Sequence, residues 1–192
     1  LLIIFYPRIK NVFIPSSPSV QVEDCVNKQL GNFVRDLAAV GGNLEPVNFY
    51  FYNDKKIDYL CYTNEYYKTC VMQVPFIKQK FEEEIAEFIS EKARGCVDEL
   101  VSSYEGKGYQ VTRKQGNVSV EIVPKSLKIM VNMPVTLTKG STETFDRFAI
   151  TKPGNMYEIL IISQAILNYE ARYGDSVPED FMLLYPNLRI QK

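Results

Sequence analysis

Residues 59–104 have the sequence YLCYTNEYYKTCVMQVPFIKQKFEEEIAEFISEKARGCVDELVSSY. Cys61 and Cys70 enclose a tyrosine-rich segment, and Pro75 leads from it into the longest helical pattern of the chain. A third cysteine, Cys96, lies late in that pattern. We therefore expect this stretch to determine both the architecture of the protein and the compartment in which it folds.

The apolar residues after Pro75 recur at helical spacing, and Gly106 and Gly108 follow them. Proline is tolerated in the first turn of a helix, so a helix is predicted to begin at Pro75. The expected apolar face comprises Phe81, Ile85, Phe88, Ile89, Ala93, Cys96, Leu100 and Tyr104. Consecutive acidic residues near its start point in different directions, so we interpret them as a solvated face and not as a metal or acid–base site.

Two further helices are predicted from the same spacing. One covers residues 19–40, with Ser17 or Ser19 as its N-cap and a glycine pair after its end. The other covers residues 156–173. Its first half is apolar nearly all round, which predicts that it is the most buried helix of the protein.

Alternation of apolar and polar residues predicts the strands, and the strongest signal runs from Leu127 to Leu137. The other predicted strands cover residues 47–52, 57–62, 66–74, 109–113, 118–122, 144–151 and 188–190. Residues 178–185 are expected to form a short amphipathic turn. The chain is thus predicted to be α+β, with three main helices packed on an antiparallel sheet and stapled by disulfides.

The composition is that of an ordinary globular domain, with 192 residues of which 46% are hydrophobic and 23% charged. The net charge is -1 without a basic block, which argues against nucleic-acid binding. The absence of histidine excludes Ser-His-Asp and Cys-His sites and histidine-ligated metals. No phosphate-binding glycine pattern is present, so we predict no catalytic residue, no metal, no cofactor and no enzymatic activity.

The chain starts with an apolar run, LLIIFY, which is shorter than the roughly 20 residues that a spanning helix needs. We interpret residues 1–10 as the end of a truncated transmembrane helix, residues 11–19 as a Pro/Ser linker and residues 20–192 as a single extracytoplasmic domain. The alternative is that the run is a short buried strand. Two basic residues after the run argue against an outside domain under the positive-inside rule.

The four cysteines support an exterior location, because disulfides persist in oxidising compartments. If the first two helices pack antiparallel, Cys25 lies beside Cys96, and a bridge there would add about 4 kcal/mol of stability. Cys61 and Cys70 suit a small loop across neighbouring strands. The alternatives are four reduced, buried cysteines in a cytosolic domain and a four-cysteine zinc site.

The tyrosines beside this small loop are the candidate binding surface, because tyrosine combines a large contact area with a polar tip. The candidates are Tyr59, Tyr62, Tyr66 and Tyr67, with Tyr50 and Tyr52 nearby in the sequence. The alternative is that they are core and edge aromatics of a sheet. Asn117 starts an N-x-S glycosylation acceptor pattern, which matters only if the domain lies outside the cell.

Three segments and the late helical cysteine carry a family resemblance. The segments are YLCYTNEYYKTCVMQVPFIKQKFEEEIAEFI, SVEIVPKSLKIMVNMPVTLT and NYEARYGD. The chain resembles uncharacterised membrane-anchored proteins of small-genome archaea. That resemblance implies an N-terminal hydrophobic helix followed by an extracytoplasmic α+β domain, and it implies no activity.

The sequence therefore predicts a membrane-anchored domain on the extracytoplasmic side of the cell membrane, with a structural, binding or envelope-assembly role. The expected partners are the membrane, through the N-terminal helix, and other envelope proteins or glycans. The alternatives are a pilin-like filament subunit and an exported carboxylate-dependent hydrolase.

Overall fold

The computed structural model describes residues 17–190, which form an α+β fold. Its helices are α1 (Pro18–Ala39), α2 (Ile77–Gly106), α3 (Met156–Tyr173) and α4 (Pro178–Leu184). Its strands are β1 (Phe49–Tyr52), β2 (Lys55–Asp58), β3 (Cys61–Tyr62), β4 (Val71–Met72), β5 (Gln110–Arg113), β6 (Asn117–Val123), β7 (Ser126–Asn132), β8 (Val135–Lys139), β9 (Ser141–Phe145) and β10 (Phe148–Pro153). The described chain thus has a fourth helix where a turn was predicted.

The first predicted helix is confirmed as α1. The Ser17 side chain accepts a hydrogen bond from the Val20 N–H, and Pro18 occupies the first turn, where its missing N–H leaves no bond unmade. Gly41 and Gly42 follow the helix with positive φ angles of 84° and 91°. One face of α1 is buried against α2, and its residues are Val22, Val26, Leu30, Phe33 and Leu37.

The central element is α2, which contacts α1, α3 and strands β5 and β6. It begins at Ile77 and not at the predicted Pro75, because Phe76 still has the extended φ of -125°.

The prediction that α3 would be the most buried helix is wrong. Only Leu160 and Ile162 are fully buried in α3. Met156, Tyr157 and Leu167 are partly buried against the core. Ile159 and Ile161 are exposed, although they are as apolar as their neighbours.

The strands form two three-stranded antiparallel sheets, in the orders β10-β7-β6 and β5-β8-β9, and two ribbons, β1-β2 and β3-β4. The predictions of a single sheet and of a single strand from Leu127 to Leu137 were therefore wrong in detail. The strand breaks after Asn132, and Pro134 cannot donate to a ladder because it has no N–H. Strand β7 belongs to one sheet and β8 to the other, yet the buried alternation continues through both.

The two ribbons also differ from the predicted strands. Asn53 and Asp54 both have positive φ, as a two-residue hairpin turn requires, so β2 begins earlier than predicted. The strand predicted over residues 66–74 is wrong, because only Val71 and Met72 pair there. The strand predicted over residues 188–190 is also wrong, as that segment has no ladder partner in the described chain.

Both predicted disulfides are present. Cys25 and Cys96 join the start of α1 to the C-terminal half of α2, with Cα atoms 5.8 Å apart. Cys61 and Cys70 are joined across β3 and β4, with Cα atoms 5.4 Å apart. All four cysteines are paired, so the reduced-cysteine and zinc alternatives are wrong.

The predicted membrane stub, residues 1–10, lies outside the described residues, as does most of the predicted linker. Pro18 and Ser19, which were assigned to the linker, belong to α1. No helix between residues 17 and 190 is long and apolar enough to cross a membrane.

Candidate functional site

The β1–β2 hairpin projects its aromatic side chains into solvent on both faces. Neighbouring residues of a strand point to opposite faces, yet all four residues of β1 are exposed. They are Phe49, Tyr50, Phe51 and Tyr52. A hairpin that packed on the core would bury one of these faces. The hairpin is joined to the body through its end, where the Asp58 N–H donates to the Val40 carbonyl at 3.0 Å.

The loop between Cys61 and Cys70 follows the hairpin in the sequence and carries further exposed aromatic side chains. Tyr66 is 99% exposed and Tyr67 is 71% exposed, and their rings meet edge to face with centroids 5.5 Å apart. The disulfide closes the loop at its base. We define the aromatic surface as the exposed side chains of the hairpin and this loop together with the adjoining Tyr59: Phe49, Tyr50, Phe51, Tyr52, Tyr59, Tyr62, Tyr66 and Tyr67.

The predicted binding residues fall into two ring pairs. Tyr59 is half-buried and its ring lies 4.8 Å from that of the exposed Tyr62, while Tyr66 pairs with Tyr67. Tyr62, Tyr66 and Tyr67 are therefore not core aromatics. The hairpin residues Phe49 and Phe51 were missed because a short aromatic run is typical of a buried strand as well.

Polar contacts between its own residues order the Cys61–Cys70 loop, here called the tyrosine loop. The Glu65 N–H donates to the Thr63 hydroxyl at 3.1 Å, and the Lys68 ammonium pairs with the Glu65 carboxylate at 2.6 Å. A hydrogen bond from Lys68, and to a smaller extent one from Tyr67, holds the pKa of Glu65 below its usual value. The Glu65 carboxylate therefore stays charged and holds the Lys68 side chain in place. The Lys68 ammonium also lies 5.7 Å from the centroid of the Tyr67 ring.

The end of α3 borders the tyrosine loop. Gly174 ends the helix with a φ of +88°, and a methyl group added to it would lie 3.5 Å from the Thr69 side chain. Tyr169 and Tyr173, one turn apart near this end, are exposed and their rings are 4.7 Å apart. They escaped prediction because the helix was expected to be buried.

Asn117 is exposed at the first residue of β6. Its side-chain oxygen accepts a hydrogen bond from the Asn132 amide at 3.0 Å. A glycan is attached through the amide nitrogen of asparagine. The observed bond uses the other atom, so it is compatible with modification.

The acidic start of α2 serves the scaffold. Glu82 accepts from the Ile122 N–H at 2.7 Å and pairs with Lys78, while Glu84 pairs with Lys80, both at 2.6 Å. Partial burial raises the pKa of the nearby Asp58 carboxyl. No group of three or more potential metal ligands occurs in the described part of the chain.

Comparisons of the chain with protein-family models, curated proteins and solved structures find no match. The site is therefore interpreted from its own geometry and chemistry. The resemblance to membrane-anchored archaeal proteins stays a prediction.

An apolar groove of about 570 Å³ separates the C-terminal half of α1 from the N-terminal half of α3. No sequence pattern predicts this groove. Its lining comes from segments far apart in the chain, including Gly31, Lys152 and Met156, and no local pattern connects them. Its volume falls within the range of small-molecule sites.

Proposed function

We propose that this chain is the extracytoplasmic domain of a membrane-anchored cell-surface protein without enzymatic activity. In this proposal the aromatic surface binds another component of the cell envelope, a protein or a glycan. The observation that carries it is the Cys61–Cys70 loop, which needs an oxidising environment to close and presents Tyr62, Tyr66 and Tyr67 to solvent.

Exposed aromatic side chains in such number support a binding role. Isolated exposed apolar residues are normal on soluble proteins, but contiguous patches mark interaction sites. Here eight aromatic residues lie within nineteen positions, from Phe49 to Tyr67, and seven of them are exposed. Contact between rings occurs in two pairs, Tyr59 with Tyr62 and Tyr66 with Tyr67. Tyrosine is also enriched among the residues that dominate binding energy at interfaces.

The charges next to the aromatic surface balance and favour neither sign of partner. On the hairpin Asp54 and Asp58 offset the two lysines, and in the loop Glu65 pairs with Lys68. Lys56 lies 4.7 Å from the centroid of the Phe49 ring, and Lys55 precedes it in the hairpin.

The membrane anchor in this proposal is supported by the apolar run at residues 1–6. The hydrolase alternative is not favoured, because Glu82 and Glu84 are engaged in structural pairs.

The location can be tested by trapping thiols in the native host. Cells are quenched in acid and the chain is alkylated before and after reduction. We expect no alkylation before reduction and four alkylated cysteines afterwards, because an exterior protein keeps both disulfides. Four free thiols before reduction would reject the exterior location.

The binding role can be tested with envelope fragments of the same host. We expect replacement of Tyr66 and Tyr67 by serine to weaken sedimentation with the fragments at least tenfold, as for central interface aromatics. Both side chains are exposed, so the fold should be unchanged in circular dichroism. The matched control replaces Tyr185, an exposed tyrosine of the C-terminal region, by serine. Equal loss in both variants, or no loss in either, would reject the aromatic surface as the binding site.

A further inference from the structure

The groove between α1 and α3 has one cationic end and one apolar end. On α1 its wall is formed by Gly31, Val34, Arg35 and Ala38, and further lining comes from Lys152 and Leu60. Gly31 has no side chain, and a methyl group added there would lie 3.6 Å from the Lys152 ammonium. The Lys152 amine therefore lies over α1 at the Gly31 end, one turn from Arg35.

The opposite end of the groove is lined by Gly41 and the apolar side chains of Leu60 and Phe81. Gly41 approaches the backbone and Cβ of Asp58, two residues before Leu60, and Asp58 itself is not part of the lining. The Ile77 N–H donates to the Gln164 side chain at 3.2 Å, which brings the middle of α3 to the start of α2. Both α1 and α3 therefore run from the cationic end toward the Leu60 end. The groove length along α1, from Gly31 to Gly41, is about 15 Å.

The two cations are available for a ligand. Neither Arg35 nor Lys152 pairs with a carboxylate among residues 17–190, and the groove lining contains no acidic residue. Arg35 makes one hydrogen bond, to the Asn32 side chain at 3.4 Å. Glu158, in the first turn of α3, does not line the groove. One of its carboxylate oxygens accepts the Lys125 N–H at 3.2 Å, and the other is buried without a hydrogen bond to any described residue.

The start of α3 borders the same end, since Asn155 and Met156 line the groove. Asn155 does not cap this helix with its side chain, and the first turn carries the acidic residue Glu158. First-turn N–H groups of a helix favour a negative group nearby, and Glu158 supplies it. The positive charge offered to a ligand therefore comes from the side chains of Lys152 and Arg35.

We propose that the groove binds a free single-chain amphiphile with an anionic head group, such as a fatty acid. The carboxylate contacts Lys152 and Arg35 at the Gly31 end, and the alkyl chain lies over Phe81, Leu127 and Leu160 toward Leu60. A neutral apolar ligand would leave both cations without a counter-charge, and a cationic amphiphile would be repelled. This site is separate from the aromatic surface, and its test does not depend on that surface.

Equilibrium dialysis of radiolabelled dodecanoate against the oxidised full chain tests the proposal. We expect saturable binding of one molecule per chain. Gly31→Leu should weaken it at least tenfold, because the new side chain enters the groove at the head-group end. Its melting temperature should equal or exceed that of the wild type, since leucine is a better helix former than glycine. The matched control is Gly95→Leu on α2, where an added side chain meets open space.

Charge selectivity is tested with Lys152→Gln and two competitors. The variant should bind dodecanoate about fivefold more weakly, and dodecanol should compete poorly with dodecanoate on the wild type. Dodecyltrimethylammonium should not compete. Equal competition by all three amphiphiles, unsaturable uptake, or full binding by Gly31→Leu would overturn the proposal. A dimer seen in sedimentation that Gly31→Leu abolishes would assign the groove to a second copy and would also overturn it.

Discussion

Replacing Cys25 and Cys96 together by alanine is expected to lower the free energy of unfolding by about 4 kcal/mol. The bridge spans 71 positions of sequence, so its removal restores much of the chain entropy of the unfolded state. It also links the start of α1 to α2 where their faces pack antiparallel. The stacked rings of Phe33 and Phe88, with centroids 3.8 Å apart, lie in the same helix pair.

Urea unfolding followed by circular dichroism without reductant measures this loss. The control removes Cys61 and Cys70 instead. That bridge spans nine positions, and its loss should lower the free energy of unfolding by about 2.5 kcal/mol. The double variant of the small loop should keep the wild-type spectrum. If the two double variants lose equal stability, the long-range bridge is not the main covalent support of the scaffold.

Gly116→Ala is expected to lower the free energy of unfolding by about 3 kcal/mol, through overpacking against the backbone. A Cβ atom at Gly116 would overlap the carbonyl oxygen of Asn132. Unlike a side chain, this carbonyl cannot rotate away without breaking the ladder that pairs Asn117 with Asn132. On the other side, the Lys114 backbone N–H donates to the Pro134 carbonyl at 2.9 Å. The substitution therefore strains the junction at which the two sheets meet.

The comparison variant is Gly95→Ala, because both changes add one methyl group. Nothing lies within 4 Å of a Cβ at Gly95, so this variant should gain up to about 1 kcal/mol of helix stability. Urea midpoints of the two variants should thus move in opposite directions. A Gly116→Ala midpoint within error of the wild type would contradict the close approach of the two backbones.

Local periodicity predicted the helices well, because it records which positions of a segment are apolar. The bounds of α3 agree with the predicted residues 156–173. Its burial was mispredicted because Ile159 and Ile161 are as apolar as Leu160, yet tertiary packing buries Leu160 and leaves the other two exposed. Which apolar face finds a partner is decided by elements distant in sequence.

The same limit applies to strands and to the two candidate sites. Alternation from Leu127 to Leu137 predicted which side chains are buried, but not that β7 and β8 pair in different sheets. The tyrosines of the Cys61–Cys70 loop were identifiable because they lie together in the sequence. The groove was not, since Gly31 and Lys152 meet only in the folded chain.

The two disulfides are nested, since Cys61 and Cys70 both lie between Cys25 and Cys96. The peptide bonds between the outer cysteines therefore belong to a covalent ring that contains the entire aromatic surface. A protease that hydrolyses one bond in this ring, for example beside the fully exposed Tyr66, opens the ring without releasing a fragment. The exposed Tyr66 and Tyr67 are thus in a segment that a single cut cannot detach.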